Sequence, residues 1–362
     1  MRVLIAGGGT GGHLYPGIAV ADTLLRQDPT CAVSFVGTAR GLESRVVPAL
    51  GYPLDTIRSA GLKGKSLMVL ARGVALLPLS ALDAWQVLSR RRPDVVVGVG
   101  GYSSGPVLLL AALRGIPTLL MEQNIAPGFT NRQLARWVRA AAVSYDETLA
   151  YFPGTGFVSG NPVRREFLAA AGASGDRAFT EGPVRVLIMG GSQGARAIND
   201  ALVAAVPGAQ ARGAVLAITH QTGERDLTRV REGYAQAGVA ATVEAFFHDM
   251  DARMRSADLV VARAGASTLA ELTVLGRASV LVPLPTAADD HQRKNARALA
   301  AAGACEVVEE RDLGGDRLVQ VLVALAADGA RRARMAAAAR ALGKPDAAAR
   351  VAERITALAG TR

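Results

Sequence analysis

Cysteine, lysine, histidine and aromatic residues are all scarce in this chain. Cys31 and Cys305 are 2 cysteines among 362 residues, too few for a disulfide framework or a cysteine-built metal site. Both stand in apolar stretches (CAVSFVG and GACEVV) and read as buried, inert thiols. The histidines at 13, 220, 248 and 291 are scattered, without an HxxxH pair, so no zinc-binding helix is expected. Aromatic residues make up 4% of the chain, and neither a zinc-finger spacing nor an RNP-like aromatic strip is present, which argues against a nucleic-acid partner. The start, MRVLIAGGG, lacks the apolar core and cleavage pattern of a secretory leader. The longest uncharged run, between Asp94 and Arg114, has the length of a membrane span. Gly98, Gly100, Gly101, Ser103, Ser104, Gly105 and Pro106 break it in the middle, so a strand, a turn and a helix fit better, and the cytosol is the expected compartment.

What is present is globular. Half of the residues are apolar and 20% are charged, and the length suggests two domains. The net charge of +10 is almost all arginine, since only Lys63, Lys65, Lys294 and Lys344 are lysine; it favours anionic partners such as phosphate or an anionic membrane face. Strands are expected at Val3–Ala6, Val33–Val36, Val95–Val97, Thr118–Met121 and Ala141–Ser144. A second set follows at Val184–Met189, Ala214–Thr219, Thr242–Ala245, Leu259–Val261 and Ser279–Val282. Helical patterns between them imply βαβ units and parallel sheets. RVLIAGGGTGG at 2–12 is echoed by RVLIMGGSQGA at 185–195, each a strand running into a glycine turn. The expected fold class is therefore α/β, with two Rossmann-like domains whose parallel sheets face each other across a cleft. The glycine- and proline-rich Phe152–Pro162 is the expected hinge.

Three glycine loops carry the candidate chemistry. In the first, Gly7 to His13, missing β-carbons let backbone N–H groups approach an anion. It also matches GxGxxG, but VGTAR after the second strand offers Arg40 and no ribose-binding carboxylate, which leaves at best an NADP variant. The second, GVGGYSSGP at 98–106, has the hydroxyls of Tyr102, Ser103 and Ser104 for a second anion. The third, GGSQGAR at 190–196, has Ser192 for a diphosphate. Ser267 and Thr268 after Gly265 are expected caps of a helix facing phosphate, and Asp289 and Asp290 are expected N-caps of the next. Asp249-Met250-Asp251 spells the DxD by which some glycosyltransferases hold a divalent ion, but N-capping accounts for it, and neither a metal nor another cofactor is expected.

GGTGGH, GVGGYSSGP, EQN, GNPVR, GGSQGAR, ARAGASTLAE and DDHQRKNA follow one another from Gly7 to Ala296. In that order they resemble the bacterial undecaprenyldiphospho-muramoylpentapeptide β-N-acetylglucosaminyltransferases, peripheral GT-B enzymes that convert lipid I to lipid II. The resemblance implies a GT-B fold, UDP-GlcNAc as donor, lipid I as acceptor, and no required metal. It implies domains at 1–161 and 162–344, with a helix in 345–362 returning to the first. It places the protein on the cytoplasmic face of the membrane, with other cell-wall synthesis proteins as further partners. Thr10, Gly11, Gly12 and Asn124 match positions at the transferred sugar, and Arg164 and Ser192 match positions near ribose and diphosphate. Phe247 matches a backbone contact to uracil. Ala266, Ser267, Thr268, Leu269, Ala270 and Glu271 match the helix under the diphosphate, with Glu271 on the ribose hydroxyls, and Gln292 matches a sugar contact. Gly100, Gly101, Tyr102 and Ser103 are assigned to the acceptor.

The implied reaction needs a base to take a proton from the attacking 4-hydroxyl as UDP leaves with inversion. His13 is the first candidate and Glu122 the second. An acceptor on a lipid also needs a membrane-facing surface. The segment 62–85 sets leucines such as Leu76, Leu77 and Leu79 near Lys63, Lys65 and Arg72, which suits either docking on anionic lipid or a core helix. A diglyceride glycosyltransferase, an NADP-dependent oxidoreductase and a non-catalytic binding module are the alternatives.

Overall fold

The computed structural model describes residues 1–59, 76–172, 182–191 and 193–360. It divides into two compact units, Met1–Arg164 with Lys344–Arg362, and Arg165–Gly343.

Among the described residues the first unit holds a seven-stranded parallel sheet. Its strands are β1 (Arg2–Gly7), β2 (Ala32–Gly37), β3 (Leu54–Thr56), β4 (Val95–Gly100), β5 (Thr118–Glu122), β6 (Ala140–Val143) and β7 (Gly156–Val158). The order across the sheet is β3-β2-β1-β4-β5-β6-β7. The described helices of this stretch are α1 (Gly11–Gln27), α2 (Glu43–Ala49), α3 (Leu77–Arg91), α4 (Ser104–Leu113) and α5 (Phe129–Leu134). The central strands are apolar on both faces, as a parallel sheet covered on both sides requires. Val3 and Ile5 face a core with Leu14 and Ile18 of α1. Leu4 and Ala6 face the other, with Ala84, Val87 and Leu88 of α3 and Val107 and Leu108 of α4.

The second unit repeats the plan with β8 (Val184–Met189), β9 (Leu216–Gln221), β10 (Ala241–Glu244), β11 (Leu259–Ala262), β12 (Ser279–Leu281) and β13 (Cys305–Val307), in the order β10-β9-β8-β11-β12-β13. Its described helices are α6 (Arg165–Gly172), α7 (Arg196–Ala211), α8 (Leu227–Gln236), α9 (Met250–Ser256), α10 (Ala266–Leu275), α11 (His291–Ala301), α12 (Asp316–Ala327) and α13 (Gly329–Leu342). The last described helix, α14 (Ala347–Ala359), lies in the first unit, where Val351, Ala352 and Ile355 complete the core beside Leu14 and Ile18. In both sheets the strand order reverses at the first strand, between β1 and β4 and between β8 and β11. Such reversals open a crevice at the carboxyl ends of the strands.

The ten expected strands are all present. β3, β7 and β13 were not expected; each has three residues and sits at a sheet edge, where short strands are the rule. Of the expected hinge Phe152–Pro162, Phe152 is buried in the first core and Gly156–Val158 is strand β7 paired with β6. The unit boundary falls after Arg164.

Candidate functional site

The first glycine loop is held from inside the protein. The β1–β4 register slips between Ala6 and Gly7, setting Gly7 opposite Gly100, and the Gly8 N–H donates to the Gly100 carbonyl at 3.2 Å. The carboxylate of Glu43, 1% exposed, accepts from the Gly9 N–H at 2.6 Å and from the Thr38 N–H and hydroxyl at 2.8 and 2.9 Å. Gly8 sits at φ +137°, and a β-carbon there would lie 2.5 Å from Glu43 Oε2. The amides of Gly8 and Gly9 thus already have acceptors within the protein, the Gly100 carbonyl and the Glu43 carboxylate. Glu43 left no motif in the sequence; a buried acid six residues past β2 became visible only with its partners.

The loop also seats His13. Its Nδ1 lies 3.3 Å from Gln123 Oε1, and Gln123 Nε2 donates to the Val99 carbonyl at 3.1 Å. Gly100, at φ +97°, faces the imidazole so closely that a β-carbon would come within 2.6 Å of Nδ1. One on Gly101, at φ +82°, would meet the Gly8 carbonyl at 2.5 Å. Gly100 and Gly101, expected at the acceptor, thus make room for His13 and its loop. Tyr102 is exposed, with its carbonyl accepting from the Ser59 hydroxyl at 2.8 Å. Ser103 is 1% exposed.

Glu122 ends β5 and is 3% exposed. Its Oε1 accepts from the N–H and side-chain amide of Asn124 at 3.0 and 3.2 Å, and its Oε2 from the Gly128 N–H and Asn131 Nδ2 at 3.0 and 2.8 Å. Four donors occupy both oxygens, so the carboxylate fixes the 122–131 loop and orients Asn124. Thr10 is the N-cap residue of α1, with Gly11 and Gly12 following in its first turn. Arg164 lies with its guanidinium 4.7 Å from the Tyr15 ring centroid, in the first unit rather than in the donor domain where the resemblance put it.

In the second unit the corresponding crevice is open. A cavity of about 710 Å³ is lined by Met189 to Gly191, Gly194 to Ala197, Asp200, Arg263, Gly265, Thr268, Leu284, Gln292 and Glu310, within the range of small-molecule sites. Ser192, expected at the diphosphate, lies outside the described residues. The N-cap of α10 is Gly265, so Ser267 and Thr268 fall inside the first turn and are not its caps. A glycine N-cap leaves the helix end without a capping side chain, the arrangement that favours an anion. Glu271 follows in the second turn and is buried, with Leu269, while Ala266 and Ala270 are half-buried. Gln292 Oε1 accepts from the Leu284 N–H at 3.0 Å, which leaves its NH2 as the donor it can offer a ligand. The Phe247 N–H donates to Gln221 Oε1 at 2.9 Å.

Among the cavity residues that sequence reasoning missed, with Asp200, Leu284 and Glu310, is Arg263. Its guanidinium bonds the Val282 and Pro283 carbonyls at 3.2 and 3.3 Å and pairs with Glu310 at 2.5 Å. Only its place in ARAGAST, just ahead of the α10 N-cap, hinted at it. The expected caps Asp249 and Asp290 hold the N-cap position but bond arginines instead, Asp249 to Arg253 at 3.0 Å and Asp290 to Arg293 at 2.9 Å. Asp289 and Asp290 both adopt left-handed backbone, at φ 54° and 55°. Among the described residues no three His, Cys, Asp or Glu side chains are grouped to hold a metal ion. Both thiols are free and buried, and burial pushes Cys305 up to about 12.

Two further features lie away from the crevices. On α3 the face opposite Ala84, Val87 and Leu88 leaves Leu77 and Leu79 exposed, with Leu82 and Trp85 each 50% exposed and Arg114 stacked 4.5 Å over the Trp85 ring. Residues 62–75 of the leucine-rich segment, with Lys63, Lys65 and Arg72, lie outside the described residues. Among the described residues no helix is long and apolar enough to cross a membrane.

Comparison with known proteins gives a consistent picture. Residues 3–143 match the glycosyltransferase family 28 N-terminal domain, and residues 185–351 the glycosyltransferase family 28 C-terminal domain. The chain is 48% identical over 355 residues to a UDP-N-acetylglucosamine--N-acetylmuramyl-(pentapeptide) pyrophosphoryl-undecaprenol N-acetylglucosamine transferase of Anaeromyxobacter sp. (strain Fw109-5), covering 98% of this chain and 92% of the relative. The same-named enzyme of Geobacter sulfurreducens is 43% identical over 358 residues, covering 99% and 98%. Among solved structures, the crystal structure of Acinetobacter baumannii MurG superposes with a TM-score of 0.80 at 32% identity, over 98% of this chain and 99% of that one. A UDP-GlcNAc 2-epimerase from Neisseria meningitidis, at 13% identity and a TM-score of 0.69 over 99% and 100% of the two chains, shares the fold.

Proposed function

The chain belongs to glycosyltransferase family 28, and on that premise we propose that it transfers N-acetylglucosamine from UDP-GlcNAc to the 4-hydroxyl of MurNAc in undecaprenyl-diphosphoryl-MurNAc-pentapeptide, converting lipid I to lipid II. The observation that carries this reading is full-length identity of 43–48% to transferases named for that donor and acceptor. The open cavity of the second unit supports it as the donor site. There the glycine loop after β8 and the α10 N-terminus face the diphosphate, and Glu271 and Gln292 take the ribose and the sugar. Those dipoles stabilise the charge that grows on departing UDP, with no metal required.

His13 is the general base. It receives the proton of the attacking hydroxyl while the anomeric centre inverts, and Tyr102 flanks the acceptor. Glu122, saturated by four N–H donors, holds Asn124 and the 122–131 loop in place. The apolar face of α3, bordered by Arg114, rests on an anionic bilayer at the cytoplasmic side and brings the enzyme to its lipid-borne substrate.

The test is incubation with UDP-GlcNAc and a short-chain lipid I analogue, following UDP release. Release that depends on this acceptor and persists in excess chelator is expected, and His13→Ala should lower kcat by about 10²–10⁴-fold. Transfer to diacylglycerol and not to the lipid I analogue would overturn the acceptor assignment.

A further inference from the structure

We infer that Gln123 is a positioning residue that sets the tautomer of His13, holding the proton on Nδ1 and the basic lone pair on Nε2. The inference rests on the reading of His13 as the base, and its argument is one of donors and acceptors.

The Val99 carbonyl can only accept, and it lies 3.1 Å from the Gln123 side-chain nitrogen. Turning the amide over would set its oxygen against that carbonyl oxygen, so the nitrogen must face Val99 and the oxygen must face His13. An amide oxygen is only an acceptor. The nitrogen 3.3 Å from it, His13 Nδ1, must therefore donate. In a neutral imidazole that assigns the lone pair to Nε2. Gln123 has little freedom to relax out of this arrangement, being 2% exposed, and Gly100 closes the same side of the ring. An imidazole in water favours the opposite tautomer, with the proton on Nε2. Without Gln123, the basic nitrogen would turn toward the interior strand ends and away from any substrate hydroxyl. The residue thus selects the catalytically competent form of a base it does not replace, and the ends of β4 and β5 act together on a side chain carried by α1.

The experiment uses the full chain with ¹⁵N-labelled histidine and ring-nitrogen correlation spectra above the titration of the imidazole, with the His13 signals assigned by their loss in His13→Ala. Wild type should show a protonated Nδ1 and an unprotonated Nε2. Gln123→Met, which keeps the bulk but cannot accept, should move the proton toward Nε2. It should also lower kcat by about 10–100-fold, as loss of an orienting partner does, with KM for UDP-GlcNAc largely unchanged. A wild-type spectrum with the proton on Nε2 would overturn the inference whatever the variants do. So would a Gln123→Met protein with an unchanged ring pattern or an unchanged kcat. If His13→Ala turns over normally, it is the assignment of the base that fails, and the wild-type spectrum still decides the tautomer.

Discussion

Glu43 and Glu122 are both buried carboxylates that bind loops by accepting N–H bonds, yet the sequence singled out only one of them. EQN is a recognisable string, so Glu122 and Asn124 stood out; Gln123 between them did not, because its function depends on a carbonyl and an imidazole from other segments. Glu43 lies in RGLESR, where nothing local distinguishes it from a surface acid. What residue types alone cannot convey is which lone pairs are already taken. The expected role of Glu122 as base and its loop-holding contacts separate cleanly by experiment. In Glu122→Gln an NH2 group replaces one oxygen and confronts the donors of Gly128 and Asn131 or of Asn124. The protein should lose about 1–3 kcal/mol of stability and melt earlier, with turnover falling alongside. A variant with wild-type melting and no turnover would return Glu122 to the role of base.

Among elements, the long apolar strands with a glycine turn at the end were legible from their pattern: Val186–Met189, four apolar residues running into Gly190, fill most of the strand Val184–Met189. Three-residue edge strands carry no such period, and β7 hid inside a stretch whose glycines and prolines suggest only a loop. Helix α3 shows how one pattern can serve two needs, with Ala84, Val87 and Leu88 turned inward and Leu82 and Trp85 outward. Leu82→Ser with Trp85→Ser should weaken sedimentation with anionic vesicles while leaving turnover on a soluble acceptor near wild type; equal loss of both would assign the face to stability.

Strand β9 carries a different constraint. His220, fully buried, has Nε2 3.1 Å from Asn199 Oδ1 and Nδ1 3.1 Å from the Tyr234 hydroxyl, and burial holds its imidazole down at about 3 against an ordinary 6.5. The folded state therefore binds this proton less readily than the unfolded chain. The stability it confers is complete above pH 6.5 and drains as the pH falls toward 3, at up to about 1.4 kcal/mol per pH unit. Denaturant titrations from pH 7 to 4 should show that slope, and His220→Gln should remove it.

At the scale of the whole molecule, the repeated RVLI-glycine segments announced two similar units, and the structure uses them differently. The first turn is filled by Glu43, while the second opens onto a cavity. Two copies of one string cannot disclose that difference, because it is set by a side chain 34 residues downstream in the first copy. The unit boundary was less legible: Arg164 falls in the first unit and Arg165 in the second, with nothing in GNPVRREF to mark the division. Ile355, fully buried in the core that α14 shares with α1, offers a test of how that core is assembled. Ile355→Ala should cost about 2–5 kcal/mol. Its thermal transition should fall for probes in residues 1–164, and UDP binding by the second unit should be spared below that transition.

The placement of α14 also bears on biosynthesis. Leu14 and Ile18 leave the ribosome early, but the side chains that cover them are translated only after all of Arg165–Gly343. The second unit can therefore be complete while the first still presents uncovered apolar surface. For this chain the usual order of co-translational maturation, amino-terminal part first, therefore cannot complete the core around Leu14 and Ile18 until Val351, Ala352 and Ile355 have emerged.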